Sequence, residues 1–269
     1  LVSVSAFIFL SAETTFAQGS IPSSDITLSN AGTTGISVAW HPTHNRYYVS
    51  NGGATNSPVV TFEENGTRVV SSTHNWDSRS IWYNSQTGRI EGNDFYGKYG
   101  YYPMSGNLLS GNVVQLATYS PSLASSQKGI VMVDADNEFY AFTGAAQMSV
   151  YNASGVLQRT VNITVPAGQT FLGNILASTN LPGKEIAFYA YNTKRVYLYS
   201  KTGGSFVYYY QLPNSAPVGA YSNYGFAFAN NRFFITDGLG TWNGYPTTSI
   251  VTSGNTCLPP NAITWTVSH

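Results

Sequence analysis

The sequence predicts an all-β fold, a β-propeller of five blades with four antiparallel strands each, and three observations carry the prediction. Amphipathic helical periodicity is missing. Runs of roughly four to eight residues rich in Val, Ile, Tyr, Phe and Thr alternate with Gly, Asn, Ser and Pro. An aromatic residue followed three positions later by Asn, Ser or Thr and then Gly recurs at a fixed spacing. Short strands with turn residues at this density mean a sandwich, a barrel or a propeller, and a fixed period selects the propeller. A sandwich is the main structural rival.

The repeat has two registers. The first is Phe62…Asn65-Gly66, Tyr102…Ser105-Gly106, Tyr151…Ser154-Gly155 and Tyr199…Thr202-Gly203, with steps of 40, 49 and 48 residues. The second is Tyr48…Asn51-Gly52, Tyr140…Thr143-Gly144 and the near match Phe234…Asp237-Gly238, whose steps of 92 and 94 are two periods each. In both, the aromatic closes a strand by packing and the Gly pair supplies a turn. A unit of about 46 residues with four short strands is a blade.

Blade one is expected from Ile36 to His74, with strands near Ile36–Trp40, Arg46–Ser50, Val59–Glu63 and Thr67–Ser71. Blade two runs from Ser78 to Tyr119, blade three from Gly129 to Thr164, and blade four from Phe171 to Leu212, its last strand at Ser205–Gln211. Blade five begins at Tyr224-Gly225-Phe226-Ala227-Phe228, continues through Arg232–Ile235 and ends near Ile263–Val267. Ring closure is alternatively made by Asp25–Leu28 as a borrowed outer strand. Residues 18–269 are thus expected to form one domain, long enough to bury roughly 70–75 % of the unfolded surface without staples.

Composition narrows the function classes. Only 9 % of residues are charged, against roughly 25 % in typical soluble domains. Twelve basic and twelve acidic residues cancel, so nothing favours nucleic acid or an anionic membrane surface. A neutral surface pays little repulsion on meeting copies of itself. It suits a lectin-like surface, a glycosylated exterior or a packed assembly better than a cytosolic enzyme. The single Cys257 forms no internal disulfide and is read first as a buried apolar residue, the alternatives being a free thiol or one half of an intermolecular bridge.

The amino terminus has the length and hydropathy of an export signal. Leu1–Leu10 is apolar, and Ala17 before Gln18 is a cleavage point, so residues 1–17 read as a signal peptide. A run of ten residues is too short to span a bilayer. The alternative is a retained strand, since Val2 and Val4 alternate with serines and Phe7 and Phe9 continue the pattern. Such a strand is able to add to the sheet edge of a neighbouring subunit.

Tyr48-Val49-Ser50-Asn51, after Val38-Ala39-Trp40-His41-Pro42 and Asn45-Arg46, resembles the YVTN-type repeat of secreted bacterial and archaeal propellers. Ser78-Arg79-Ser80-Ile81-Trp82-Tyr83-Asn84, with Thr87-Gly88 and Glu91-Gly92-Asn93, is similar to blades of exported Bacteroidota proteins. The resemblance implies fold and export, and it brings no catalytic residues.

Candidate chemistry is sparse. Asp134, Asp136 and Glu138 lie on one side of an extended segment and are the weak metal candidates, suited to a hard cation such as calcium, but Asp and Asn are ordinary turn residues. His41 and His44 lack two further zinc ligands and read as a solvent-facing turn. A propeller glycosidase needs two carboxylates roughly 5–10 Å apart. The expected inner strands, Ile36–Trp40, Ser80–Tyr83, Ile130–Val133, Ile175–Ser178 and Phe226–Phe228, carry none, while Asp77, Asp94, Asp134 and Asp237 sit near strand ends. No GxSxG occurs, and no GxxxxGK followed by the Ser or Thr of a phosphate loop. Tyr208, Tyr209, Tyr210, Trp242 and Tyr245 are candidates for an interface or for stacking on sugar rings. Their bland alternative is packing between blades. Asn65, Asn152 and Asn162 head N-x-S/T sequons and are glycosylation candidates.

The expectation from sequence is therefore a non-enzymatic extracellular propeller, secreted or on the cell surface, with no catalytic residues and no cofactor. It serves as a structural or interaction subunit, its partners being itself in a homo-oligomer or filament, other cell-surface components, or glycans. A carbohydrate-binding module is the alternative, and a propeller glycosidase ranks third.

Overall fold

A computed structural model describes residues 17–120, 129–133, 136–144, 146–172, 175–218 and 225–248. Val2, Val4, Phe7, Phe9, Asp134, Cys257 and the strand expected at Ile263–Val267 lie outside them.

Two strands precede the repeats, β1 (Ala17–Ser20) and β2 (Ile26–Ser29). Blade one is β3 (Gly35–His41), β4 (Arg46–Asn51), β5 (Pro58–Glu63) and β6 (Arg68–Thr73). Blade two is β7 (Ser78–Asn84), β8 (Arg89–Asp94), β9 (Lys98–Tyr101) and, after an inserted hairpin of β10 (Met104–Ser105) and β11 (Leu108–Leu109), β12 (Val114–Thr118). Blade three is β13 (Ile130–Val133), β14 (Glu138–Gly144), β15 (Gln147–Tyr151) and β16 (Leu157–Asn162). Blade four is β17 (Ala177–Ser178), β18 (Ile186–Ala190), β19 (Arg195–Tyr199) and β20 (Tyr208–Gln211). Among the described residues blade five supplies three strands of its own, β21 (Phe226–Ala229), β22 (Arg232–Thr236) and β23 (Thr241–Pro246).

The inner strands β3, β7, β13, β17 and β21 each touch the next, and β21 returns to β3, so the ring is closed. The fourth strand of blade five comes from the amino-terminal side: β2 pairs antiparallel with β23, Ile26 opposite Gly244 and Ser29 opposite Thr241. A paired Asp25 and Arg232, 2.8 Å apart, pins the same joint. β1 adds to blade four as a fifth, parallel strand outside β20. The borrowed closing strand is therefore the one that forms.

The two registers mark two successive turns of one blade. The second lies where strand two turns into strand three, after β4, β14 and β22. The first lies where strand three turns into strand four, after β5, β15 and β19. All seven aromatics of the two registers are buried. The first-register glycines do more than turn the chain. A Cβ on Gly66, Gly155 or Gly203 would sit 2.7, 2.6 or 2.3 Å from the carbonyl oxygen of Thr27, Thr118 or Asn162, each on the outer strand of the preceding blade. Gly106 falls in the inserted hairpin and meets nothing, which accounts for the uneven step at blade two.

Five apolar clusters fill the five gaps between neighbouring blades. Inner strand β13 and second strand β18 are consequently buried on both faces and read as continuous apolar runs. This packing corrects part of the aromatic expectation. Trp242, Tyr245 and Tyr210 are buried between blades, with Trp242 fully enclosed by blades five and one, and none of the three offers a face to a sugar. Tyr208 and Tyr209 stay half-exposed, but β1 covers the edge of their strand and Gln18 accepts a hydrogen bond from the Tyr209 hydroxyl.

Candidate functional site

A cavity of about 400 Å³ occupies the centre of the ring, within the size range of small-molecule sites. Every inner strand contributes. Ser37–Trp40 of β3, Ile81–Tyr83 of β7, Val131 and Met132 of β13, Leu176–Ser178 at β17 and Ala227–Ala229 of β21 form its wall. Pro42, Asn180 and Asn231, all exposed, lie just past the carboxyl ends of these strands and set the mouth at that end.

The lining is divided by chemistry. Trp40, Tyr83 and Phe228, all half-exposed, come from blades one, two and five, which are neighbours in the ring. Trp40 leans on Tyr47 at 4.5 Å, Tyr83 on His41 at 4.7 Å and Phe228 on Phe233 at 5.1 Å, so each ring is braced from behind. Ser178, Thr179 and Asn180 from blade four and Asn230 and Asn231 from blade five supply hydroxyls and amides. The Ser178 hydroxyl donates to Asn180 Oδ1 at 3.0 Å, and Asn230 Nδ2 donates to the Tyr47 hydroxyl at 3.0 Å. Asn180, Asn230 and Asn231 have positive φ, the left-handed turn geometry that asparagine tolerates. Among the described residues, no Asp, Glu, Lys, Arg or His lines the cavity.

Behind the wall lies buried polar structure. Trp82 Nε1 donates to Glu91 Oε2 at 3.2 Å, and Glu91 is 1 % exposed. His41, expected to face solvent, is instead buried between blades one and two. The His44 N–H donates to its Nδ1, which makes Nε2 the protonated nitrogen, donating to Gly88 O at 3.2 Å. The two imidazoles stack at 3.6 Å. Burial lowers the pKa of His41, and the charge of His44 lowers it further; burial and Arg46 lower that of His44. Stacked and committed in this way, the pair presents no convergent metal donors.

Other sequence candidates fall elsewhere. Asp136 is ion-paired with Lys201, and Glu138 with Arg159, so the acidic run from Asp134 does not converge among the described residues. The physical reason is geometric: each carboxylate is drawn to a cation elsewhere, Glu138 to Arg159 on the outer strand β16 of its own blade and Asp136 to Lys201 after β19 of the next. Arg159, and next the Tyr140 hydroxyl, hold Glu138 below the usual carboxylate range against its burial. Asp77 pairs with Arg79, while Asp94 and Asp237 accept backbone N–H groups in turns; none of the three lines the cavity. Asn65 and Asn162 are exposed and Asn152 half-exposed; Asn65 and Asn152 cap their turns through Oδ1, and Asn162 accepts from Gln147.

No family model matches the sequence, and no curated protein sequence does. Among solved structures the chain is similar to the glutaminyl cyclase of Myxococcus xanthus, at 14 % identity and a TM-score of 0.58, over 85 % of this chain and 96 % of that one. It also overlaps Raptor of Chaetomium thermophilum at 10 % identity and a TM-score of 0.41, over 66 % of this chain and 16 % of that one. The first likeness establishes the shared propeller fold. It also corrects the expectation of a non-enzymatic protein: the architecture seen here is one that an enzyme uses, so the fold gives no ground for excluding catalysis.

Proposed function

We propose that the protein binds a small, uncharged, hydroxyl-rich ring compound, a saccharide by class, at the mouth of its central cavity. One observation carries this reading: an aromatic arc from blades five, one and two faces hydroxyls and amides from blades four and five, with no charged side chain between. A sugar ring has the matching division, an apolar C–H face that stacks on aromatic rings and a rim of hydroxyls that pair with amides. The expectation of export, drawn from the apolar amino-terminal run and the YVTN-like segment Tyr48–Asn51, fits this reading, since glycans abound outside cells.

A glycan array followed by titration calorimetry tests it. Hits that weaken at least tenfold in Trp40→Ala and in Asn231→Ala, with the fold intact by circular dichroism, are expected. Binding that survives both substitutions, or no hit at all, defeats the reading. A short peptide beginning with glutamine belongs in the same titration, with ammonia release followed, because the fold is shared with a glutaminyl cyclase.

A second reading, self-association, is favoured by the outer edges of blades one and two. β6 carries one charge and β12 none, and Val69, Val114 and Leu116 are exposed there. Edge strands with little charge and no proline are ready templates for another strand. Light scattering across a concentration series decides it, a constant monomer mass being the adverse result.

A further inference from the structure

We infer that Glu91 is a positioning residue for the cavity, holding the Trp82 wall and the blade-two rim through an acceptor-only carboxylate; the inference rests on the cavity being a ligand site. Trp82 and Glu91 are directly opposed on β7 and β8, so their side chains share the face of blade two turned toward blade three. From there Glu91 accepts from Trp82 Nε1 at 3.2 Å, from Asn84 Nδ2 at 3.0 and 3.1 Å, and from the Thr87 hydroxyl at 3.1 Å.

Every one of these partners is a neutral donor. Five ion pairs occur among the described residues and none includes Glu91, so a carboxylate that is 1 % exposed is held by dipoles alone. Charge in such a place is costly unless hydrogen bonds satisfy all its lone pairs. The donors are themselves fixed. Asn84 Oδ1 is committed to the backbone N–H groups of Gln86 and Thr87, at 3.0 and 3.3 Å, so its amide cannot turn to present oxygen to residue 91. A glutamine at 91 would place its own NH₂ among donors. Only a group with acceptors on both oxygens meets the arrangement.

What Glu91 holds bears on the cavity at two points. Trp82 lines the wall. The Asn84–Arg89 turn ends at Gly88, whose carbonyl receives His41 Nε2, and His41 backs the wall residue Tyr83. One buried carboxylate thus sets an indole plane and the rim beside it.

Indole N–H signals of ¹⁵N-tryptophan protein test this, with Trp82 assigned through Trp82→Phe. In Glu91→Gln the Trp82 signal is expected to move, and saccharide affinity to fall about tenfold, the scale of one lost hydrogen bond to a charge, well below the melting temperature. Added to Trp82→Phe, Glu91→Gln is expected to cost clearly less than tenfold more, because the held N–H is already gone. A merely structural glutamate would lower the melting temperature and leave the folded protein's affinity as it was. That result overturns the assignment. Should Glu91→Gln not fold, Thr87→Val at the exposed rim removes one donor and is expected to shift the same signal; an unmoved signal is again adverse. Absence of any saccharide binding by the wild type strikes the cavity reading, and the Trp82 signal then decides the assignment of Glu91 alone.

Discussion

Replacing Gly155 by alanine measures how tightly the blades are clasped. The residue has φ +76°, and an added Cβ would stand 2.6 Å from the carbonyl oxygen of Thr118 and 3.0 Å from its carbon. Left-handed backbone costs an L-residue about 1–2 kcal/mol. The clash adds to it, because the obstacle is backbone of the preceding blade and cannot swing away; overpacking of this kind costs about 1–3 kcal/mol. The loss worked from the structure is therefore about 2–5 kcal/mol. Gly144→Ala is the matched control, with φ +83° and nothing within 4 Å of the added atom, so it bears the first cost alone. Urea denaturation of the two variants isolates the clasp as their difference, and for a chain of this size each kcal/mol moves the melting temperature by about 2–4 °C. Equal losses, within about 0.5 kcal/mol, would refute the claim that first-register glycines are chosen for contact between blades.

Three further outcomes are expected. Trp242→Ala empties a fully enclosed site between blades five and one and costs about 3–5 kcal/mol. Trp242→Phe costs clearly less, because the buried indole N–H has no partner to lose; equal urea midpoints for the two contradict this. Leu28→Ala on the closing strand, buried completely, costs about 2–5 kcal/mol, while exposed Thr27→Ala stays within about 0.5; similar losses would mean that β2 only decorates blade five. Stability falls with acid. His41, His44 and His74 have folded pKa values lowered from 6.5 mainly by burial, so the unfolded chain binds more protons, and stability, full above that pH, is lost as pH drops through the folded values. Urea midpoints between pH 7.5 and pH 5 check the slope, and His41→Gln with His74→Gln is expected to flatten it.

The fold was legible because its signals are local and repeated. Phe62, Tyr151 and Tyr199 end third strands and Tyr48, Tyr140 and Phe234 lie on second strands, so one blade writes its turns into the chain twice. Blade two was harder to phase, since Ser105-Gly106 belongs to an inserted hairpin. The cavity was less legible. Trp40, Tyr83 and Phe228 look in sequence like any other strand aromatics, and Trp242 looks as available as they do. Facing the axis or facing the next blade is decided by where a strand sits in the ring, and only long-range pairing supplies that. Glu91 stood inside the Bacteroidota-like stretch, yet nothing nearby in sequence indicates that its partners are all donors. Its opposition to Trp82 is the signal, visible once the hairpin register is known.

Closing the ring with β2 joins residues more than 200 positions apart, as the Asp25–Arg232 separation of 207 shows. During synthesis β2 is thus made well before its partner, and it waits as an unpaired, uncharged edge until β23 emerges. A chain built so folds slowly, because the closing loop's entropy is spent before its contacts form. Until then it is open to capture by any other strand. The same delay keeps the ring unlocked until β23 is available to close it.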